Sequence, residues 1–255
     1  MLWPRPRRVA LDTLTRLVRA ENIGELPEVL APDVGWRPLA EDQALDRQLR
    51  EECTRLGWLD RRGRLDVDVA AALAVLCRPS IEFAGWITVG DSTAGVIAAA
   101  TGRSALLAVG LDGWVSLRSV GSASLPRIVV AQTPDVGMGR GEPFRVRRAD
   151  VLAFDGGQRR SHGGVAVHPV PLEVRRLHEI AALARTGAGE FRVAIRDRVG
   201  RRQVTSDTVS YVDTVVGRYV TLARTVGGEV EMFIAPADRD ALTARLLDAR
   251  RSLTD

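Results

Sequence analysis

The sequence contains no lysine: all 36 basic side chains among its 255 residues are arginine. That absence removes Schiff-base catalysis, the phosphate-loop lysine, the kinase lysine and the Ser-x-x-Lys nucleophile. Arginine cannot stand in, because its guanidinium keeps its proton in proteins. Cysteine is nearly absent too. Cys53 and Cys77 are too few for a disulfide framework and fit buried thiols in a reducing compartment. Aromatics make up 5 % of the chain, too few for base-stacking platforms. Long hydrophobic runs are missing as well. The longest, Val69 to Cys77, falls far short of the ~20 residues that span a bilayer. The basic start at Arg5, Arg7 and Arg8 is followed by Asp12, Thr13, Arg16 and Arg19, so no signal-peptide core follows it. These absences describe a soluble cytoplasmic protein with no direct membrane insertion.

Hydrophobic residues make up 45 % and charged residues 27 %, as in ordinary globular domains. The 32 acids leave a net charge of +4, spread among interspersed arginines, which reads as a solvated mixed surface. The first third has helical periodicity. Leu11, Leu14, Leu17 and Val18 form one stripe, and Leu45, Leu49, Cys53 and Leu56 a second, closed by Gly57. Asp66 caps a third helix, which ends before Pro79. Residues 31–38 read as a loop.

From Ile81 the period changes to that of strands: Ile81–Val89, Gly95–Ala100, Ala105–Val109 and Trp114–Val120, with Asp112-Gly113 as a hairpin turn. A short helix is expected over Leu125–Ala131, a loop over 133–143 and a helical turn over Arg147–Phe154. The glycines at 156, 157, 163 and 164 mark a mobile stretch. Pro171 opens another helix, closed by Gly187 and Gly189. The strands Glu190–Arg196, Gln203–Val212, Arg218–Ala223 and Glu229–Ile234 then precede a last helix from Pro236. Each half thus reads helix, about four strands, helix. The expectation is an α+β class with a central, mostly antiparallel sheet, flanking helical bundles and two pseudo-twofold-related halves. The whole of 1–255 is expected to form one domain, with an N-terminal half over 1–132, a linker over 133–170 and a C-terminal half over 171–255.

No catalytic set assembles from the motifs. Gly90-Asp91-Ser92 resembles an esterase nucleophile block, but no Asp-x-x-His follows, so it reads as a turn. Gly137-x-Gly139-x-Gly141 opens no helix that would hold a pyrophosphate. His162, His168 and His178 fit no zinc spacing, so no metal and no cofactor is expected. The arginine clusters lack any nucleic-acid-binding signature. The chain is read as not an enzyme.

Several segments, in order, resemble the EspG family, cytosolic chaperones of actinobacterial type VII (ESX) secretion. Gly24-Glu-Leu-Pro-Glu-Val-Leu30 is similar to that family's Leu-Pro-x-Val-Leu stop after the first helix. Leu49 to Pro79 is similar to its second block, with Leu56-Gly57-Trp58-Leu59 in place of Arg-Gly-Leu. Gly187-Ala-Gly-Glu-Phe191 resembles a strand start, Asp213-Thr-Val-Val-Gly217-Arg218-Tyr219 matches the Asp-Thr-x-x-Gly-Arg-Tyr signature, and Ala235-Pro236-Ala237-Asp238 the start of the last helix. Residues 121–165 match least.

The resemblance implies a quasi-twofold α+β fold. It also implies a partner, the apolar helical tip of a PPE protein within a PE–PPE heterodimer, kept soluble until export without ATP. An exposed apolar tip of that kind would otherwise self-associate. Two alternatives stay open: a scaffold or regulator of an ESX system with a non-PPE partner, and a DNA-binding regulator. No nucleic acid is expected as partner on the leading reading, and self-association is left open. Candidate partner-binding residues are the strand faces Phe191, Val193 and Ile195, and Met232 and Ile234, with burial in the core as the competing reading. Asp213, Gly217, Arg218 and Tyr219 are expected to be structural. Asp213 and Arg218 would pair, Gly217 would allow a close approach, and Tyr219 would pack its ring with its hydroxyl satisfied.

Overall fold

The computed structural model describes residues 2–31, 39–160 and 170–253. The chain begins with β1 (Arg7–Ala10), then α1 (Leu11–Ala20), α2 (Leu39–Leu56) and α3 (Val67–Cys77). A meander follows: β2 (Ile81–Val89), β3 (Ser92–Thr101), β4 (Ser104–Leu111) and β5 (Trp114–Ser119), closed by α4 (Leu125–Val130). The rest of the chain runs from a short strand through two helices and a second run of strands to a last helix. It has β6 (Phe144–Arg147), α5 (Arg148–Arg160), α6 (Leu172–Ala181), β7 (Arg185–Arg196), β8 (Arg202–Val204), β9 (Val209–Thr214), β10 (Gly217–Val226), β11 (Glu229–Pro236) and α7 (Arg239–Arg251).

All eleven strands lie in one sheet of order β1-β5-β4-β3-β2-β7-β9-β10-β11-β6, with β8 paired to β7 off this path. Every strand pairing is antiparallel. In each half a meander is completed at its outer edge by the strand that opened that half. The halves join where β2 pairs β7 from Ile81↔Ile195 to Val89↔Gly187.

Turn chemistry sets the register. Asp112 and Gly113, at φ +50° and +75°, form the tight turn between β4 and β5. Gly90-Asp91 turns β2 into β3 and is no nucleophile block. Asp66 accepts from the Asp68 and Val69 amides at the start of α3, and Asp238 from Ala241 at the start of α7. The first helix has no such cap of its own. Buried Glu52 on α2 accepts instead from the Ala10 amide at 3.2 Å and the Thr13 hydroxyl at 2.5 Å.

Three apolar clusters fill the molecule. On one face α4 and α7 pack on each other and on the central strands, over Phe83, Val96, Ala98, Phe191, Val193, Tyr211 and Val220. On the other face, α1 and α3 cover β3–β5 over Ile97, Ala99, Leu106 and Leu117. On that same face α5 and α6 cover the β10–β11–β6 end over Val146, Tyr219 and Ile234. Strand β3 is therefore buried on both sides. Its unbroken small apolar run Val96–Ala100 follows from that, since each side chain meets a helix layer.

Three expectations need correction, and two strands are added. Gly187 and Gly189 do not close a helix; they lie inside β7, which starts at Arg185. Gly189 is there because the Tyr211 ring lies over its Cα, just as the Phe191 ring lies over Gly85 on the neighbouring strand. Gln203–Val212 is two strands, because the chain leaves β7 after Thr205, whose amide still donates to the Val193 carbonyl, and returns as β9. Gly156 and Gly157 lie in helix α5. The edge strands β1 and β6 carry no periodicity signal, since each is four residues long and half arginine. The loop at 32–38, His162, His168, Gly163 and Gly164 lie outside the described residues.

Candidate functional site

The family-like signature forms a clip. Arg218 and Asp213 sit side by side on β10 and β9 and are 0 % and 1 % exposed. Arg218 Nε donates to Asp213 Oδ1 at 2.6 Å and its Nη2 to Oδ2 at 2.8 Å. The same guanidinium donates to Thr133 Oγ1 at 3.1 Å and to the Pro134 carbonyl at 2.9 Å, and lies 4.5 Å from the Tyr211 ring centre. Burial raises the Tyr211 phenol well above its ordinary value; the Arg218 cation opposes that shift and Asp213 adds to it.

Backbone bonds complete the clip. The Arg218 amide donates to Gly137 O at 2.8 Å, and the Gly139 amide to Arg218 O at 2.9 Å. Gly217, at φ +126°, has no room for a Cβ against the Met138 carbonyl. Gly139 is overlain by the Tyr219 ring, whose hydroxyl accepts from the Arg140 amide at 2.9 Å and donates to its carbonyl at 3.1 Å. Asp213, Gly217, Arg218 and Tyr219 thus fasten the 133–140 connection between the halves. Their polar groups are satisfied by these contacts within the chain.

The open surface lies elsewhere. Between the two helix groups, the β2–β7 junction forms the floor of a groove of about 870 Å³. From β2 it receives Glu82, Ala84 and Trp86; from β7, Glu190, Arg192 and Ala194. One wall is the strap Gly24–Val29. It lies hard on the sheet because Gly95 has no side chain: a Cβ there would overlap the Val29 carbonyl oxygen. The other wall is β8 with Thr205 and Ser206. Glu82 is 6 % exposed and bonds Arg202, which reaches it with Nε at 2.9 Å and with Nη2. Arg192 Nε donates to Thr208 Oγ1 at 3.1 Å. Trp86 is half-buried and is the aromatic residue lining the floor.

Of the candidate contact residues only Val193 borders this groove, and its side chain is buried. Phe191 and Val193 are fully buried beneath α4 and α7, and Ile234 is buried beneath α5 and α6. Alternation turns them to the packed faces of their strands, so they are core in this fold. Met232 is half-buried in the same cluster as Ile234, and Ile195 is half-buried opposite Ile81 on the face that carries Phe191. The groove residues are their immediate neighbours, one step along the chain. The signal that could have found them is the even-numbered phase of β2, Glu82-Ala84-Trp86-Thr88, which mixes polar and small residues around one aromatic.

Among the described residues no three His, Cys, Asp or Glu side chains gather where an ion could be held, and no helix is long and apolar enough to cross a membrane. His178 lies on α6 with its ring 4.7 Å from that of Phe154.

Comparison with curated proteins gives no match. Among solved structures, the chain is similar to the Mycobacterium tuberculosis type VII secretion system chaperone EspG5, determined in complex with a PE25–PPE41 dimer. The TM-score is 0.65 at 17 % identity, over 95 % of this chain and 94 % of that one, which establishes a shared fold. Over residues 10–248 the sequence matches the model of the EspG family, and it is to this family that the chain belongs.

Proposed function

We propose that the chain is a type VII secretion chaperone that binds a PE–PPE heterodimer, seating the apolar helical end of the dimer in the groove over β2–β7. Family membership and the complex in which EspG5 was determined support the partner class. The observation that carries the site is the groove itself, a stretch of sheet left open between two helix-covered regions and floored by Trp86. An apolar helix end exposed in the cytosol promotes self-association, and covering it keeps the cargo soluble until export. The binding is reversible and makes no covalent bond. Release follows from a competitor or a changed cargo that favours the free state.

Co-expression with PE–PPE pairs of the same genome tests this reading. A soluble one-to-one complex on size exclusion is the expected result. Trp86→Ala should weaken it by roughly 30-fold, the effect of losing about 2 kcal/mol at a buried aromatic anchor. The fold should persist, because Trp86 belongs to none of the three apolar clusters. An unchanged affinity would remove the groove as the site.

A further inference from the structure

The two halves differ at one connection beside the groove. The first meander passes from β2 to β3 through Gly90-Asp91 alone. Its counterpart, from β7 to β9, runs through residues 197–208 and contains β8. This hairpin forms a groove wall, and its tip projects beyond the sheet: Val199 is 77 % exposed, and Arg198 and Arg201 are exposed. The tip is ordered rather than loose. Asp197 Oδ1 accepts from the amides of Val199 at 3.0 Å and Arg201 at 2.8 Å, and Arg196 Nη1 donates to the Gly200 carbonyl at 3.1 Å. Among the described residues neither Arg198 nor Arg201 has a carboxylate within 4.0 Å, whereas the neighbouring Arg202 is engaged by Glu82. The opposite wall carries Arg78 beside Gly24, but its strap is acidic: Glu25 and Glu28 are exposed there, likewise without an ionic partner among the described residues.

Exposed arginines at the tip of one wall and exposed glutamates on the other give the two rims of the groove opposite sign, which imposes a direction on what enters it. We propose that the β8 hairpin is a basic arm that receives an acidic flank of the helical partner and so fixes how that partner is turned in the groove. This rests on the docking reading above and adds to it the chemistry of the cargo. The seated end carries apolar side chains for Trp86 and carboxylates on the side facing Arg198 and Arg201. Charges at the rim of an interface act on encounter more than on residence, so the arm sets the association rate and its salt dependence.

The test uses the full chain and a PE–PPE heterodimer from the same genome that the unmodified chain binds. The double variant Arg198→Glu with Arg201→Glu reverses two exposed charges that hold nothing in place, and a melting curve checks the fold. Association should be about tenfold slower than wild type at 0.1 M salt, where the screening length is about 10 Å, and should converge with it at 1 M, where that length is about 3 Å. The strap variant Glu25→Arg with Glu28→Arg should not slow association in this way. If the wild type binds and the arm variant associates at the wild-type rate at low salt, the arm proposal fails while the docking reading stands. If the wild type binds no PE–PPE pair, both fail. If the chain instead binds a short DNA duplex and the arm variant loses that binding, the arm belongs to nucleic acid and the proposal is overturned.

Discussion

Removing Asp213 tests the clip most directly. The carboxylate supplies two of the four hydrogen bonds on the Arg218 guanidinium. In Asp213→Ala the arginine stays at 0 % exposure with only Thr133 Oγ1, the Pro134 carbonyl and the Tyr211 ring around its charge. An uncompensated charge at such a site costs about 3–5 kcal/mol, out of a total stability of about 5–15 kcal/mol for a domain. For a chain of this size that corresponds to a fall in melting temperature of roughly 6–20 °C. Equilibrium denaturation in urea reads the cost.

The reasoning also makes a second, sharper demand. Replacing both partners, Asp213→Ala with Arg218→Met, removes the stranded charge along with the pair. The double variant should therefore be more stable than the sum of the single variants implies, by about 1–3 kcal/mol. Hydrogen exchange should show the Arg218 and Gly139 amides losing protection first, since those two bonds hold the connection to β10. A cost below about 1 kcal/mol for Asp213→Ala, or single-variant effects that add within about 0.5 kcal/mol, would refute the account of the clip.

Two other perturbations complete the set. Glu52→Ala leaves the start of α1 without an acceptor for the Ala10 amide and the Thr13 hydroxyl, and should cost about 1–2 kcal/mol in urea melts; a neutral result would mean water replaces the carboxylate there. Alkaline titration gives the other. Burial raises the Cys53 thiol from 9.0 to about 11, with Glu52 and Glu21 adding to the shift, and burial raises Cys77 to about 11 against the opposing charge of Arg78. The unfolded chain therefore ionises its thiols first, so stability is full below pH 9 and falls as pH rises toward 11. Buried Tyr211 acts in the same direction. The absence of lysine leaves no side-chain amine titrating in that window. Denaturation midpoints from about pH 8 to about pH 10.5 should decline, less so in Cys53→Ala with Cys77→Ala, and a flat profile would refute the assignment.

Most of the sheet was legible because its signals are local. The Asp112-Gly113 turn, the Asp66 cap and the alternation of β2 each follow from a few adjacent residues. Edge strands β1 and β6 were not, since four-residue strands rich in arginine are defined by their neighbour and not by their own pattern. The glycines of β7 misled for a related reason. Gly189 answers to the ring of Tyr211, twenty-two residues away in sequence, and nothing beside it announces that contact. The pairing of Asp213 with Arg218 and the close approach at Gly217 follow residue type, because a buried arginine needs a carboxylate and a tight approach needs glycine. Strand phase was the limit for the groove. Phe191 and Trp86 are both apolar residues in alternating strands, and only the placement of α4 and α7 decides which of the two is covered.

The underside of the β2–β7 junction is backed by the last helices of both halves, packed against each other. A platform braced from beneath in this way yields little when something lands on it. The adjustment needed for a good fit, and the entropy it consumes, must then be borne by the visitor. If a helix end docks here as proposed, grip is set by how closely that end already resembles its seated shape, and a change in the cargo can loosen it without a change in the carrier.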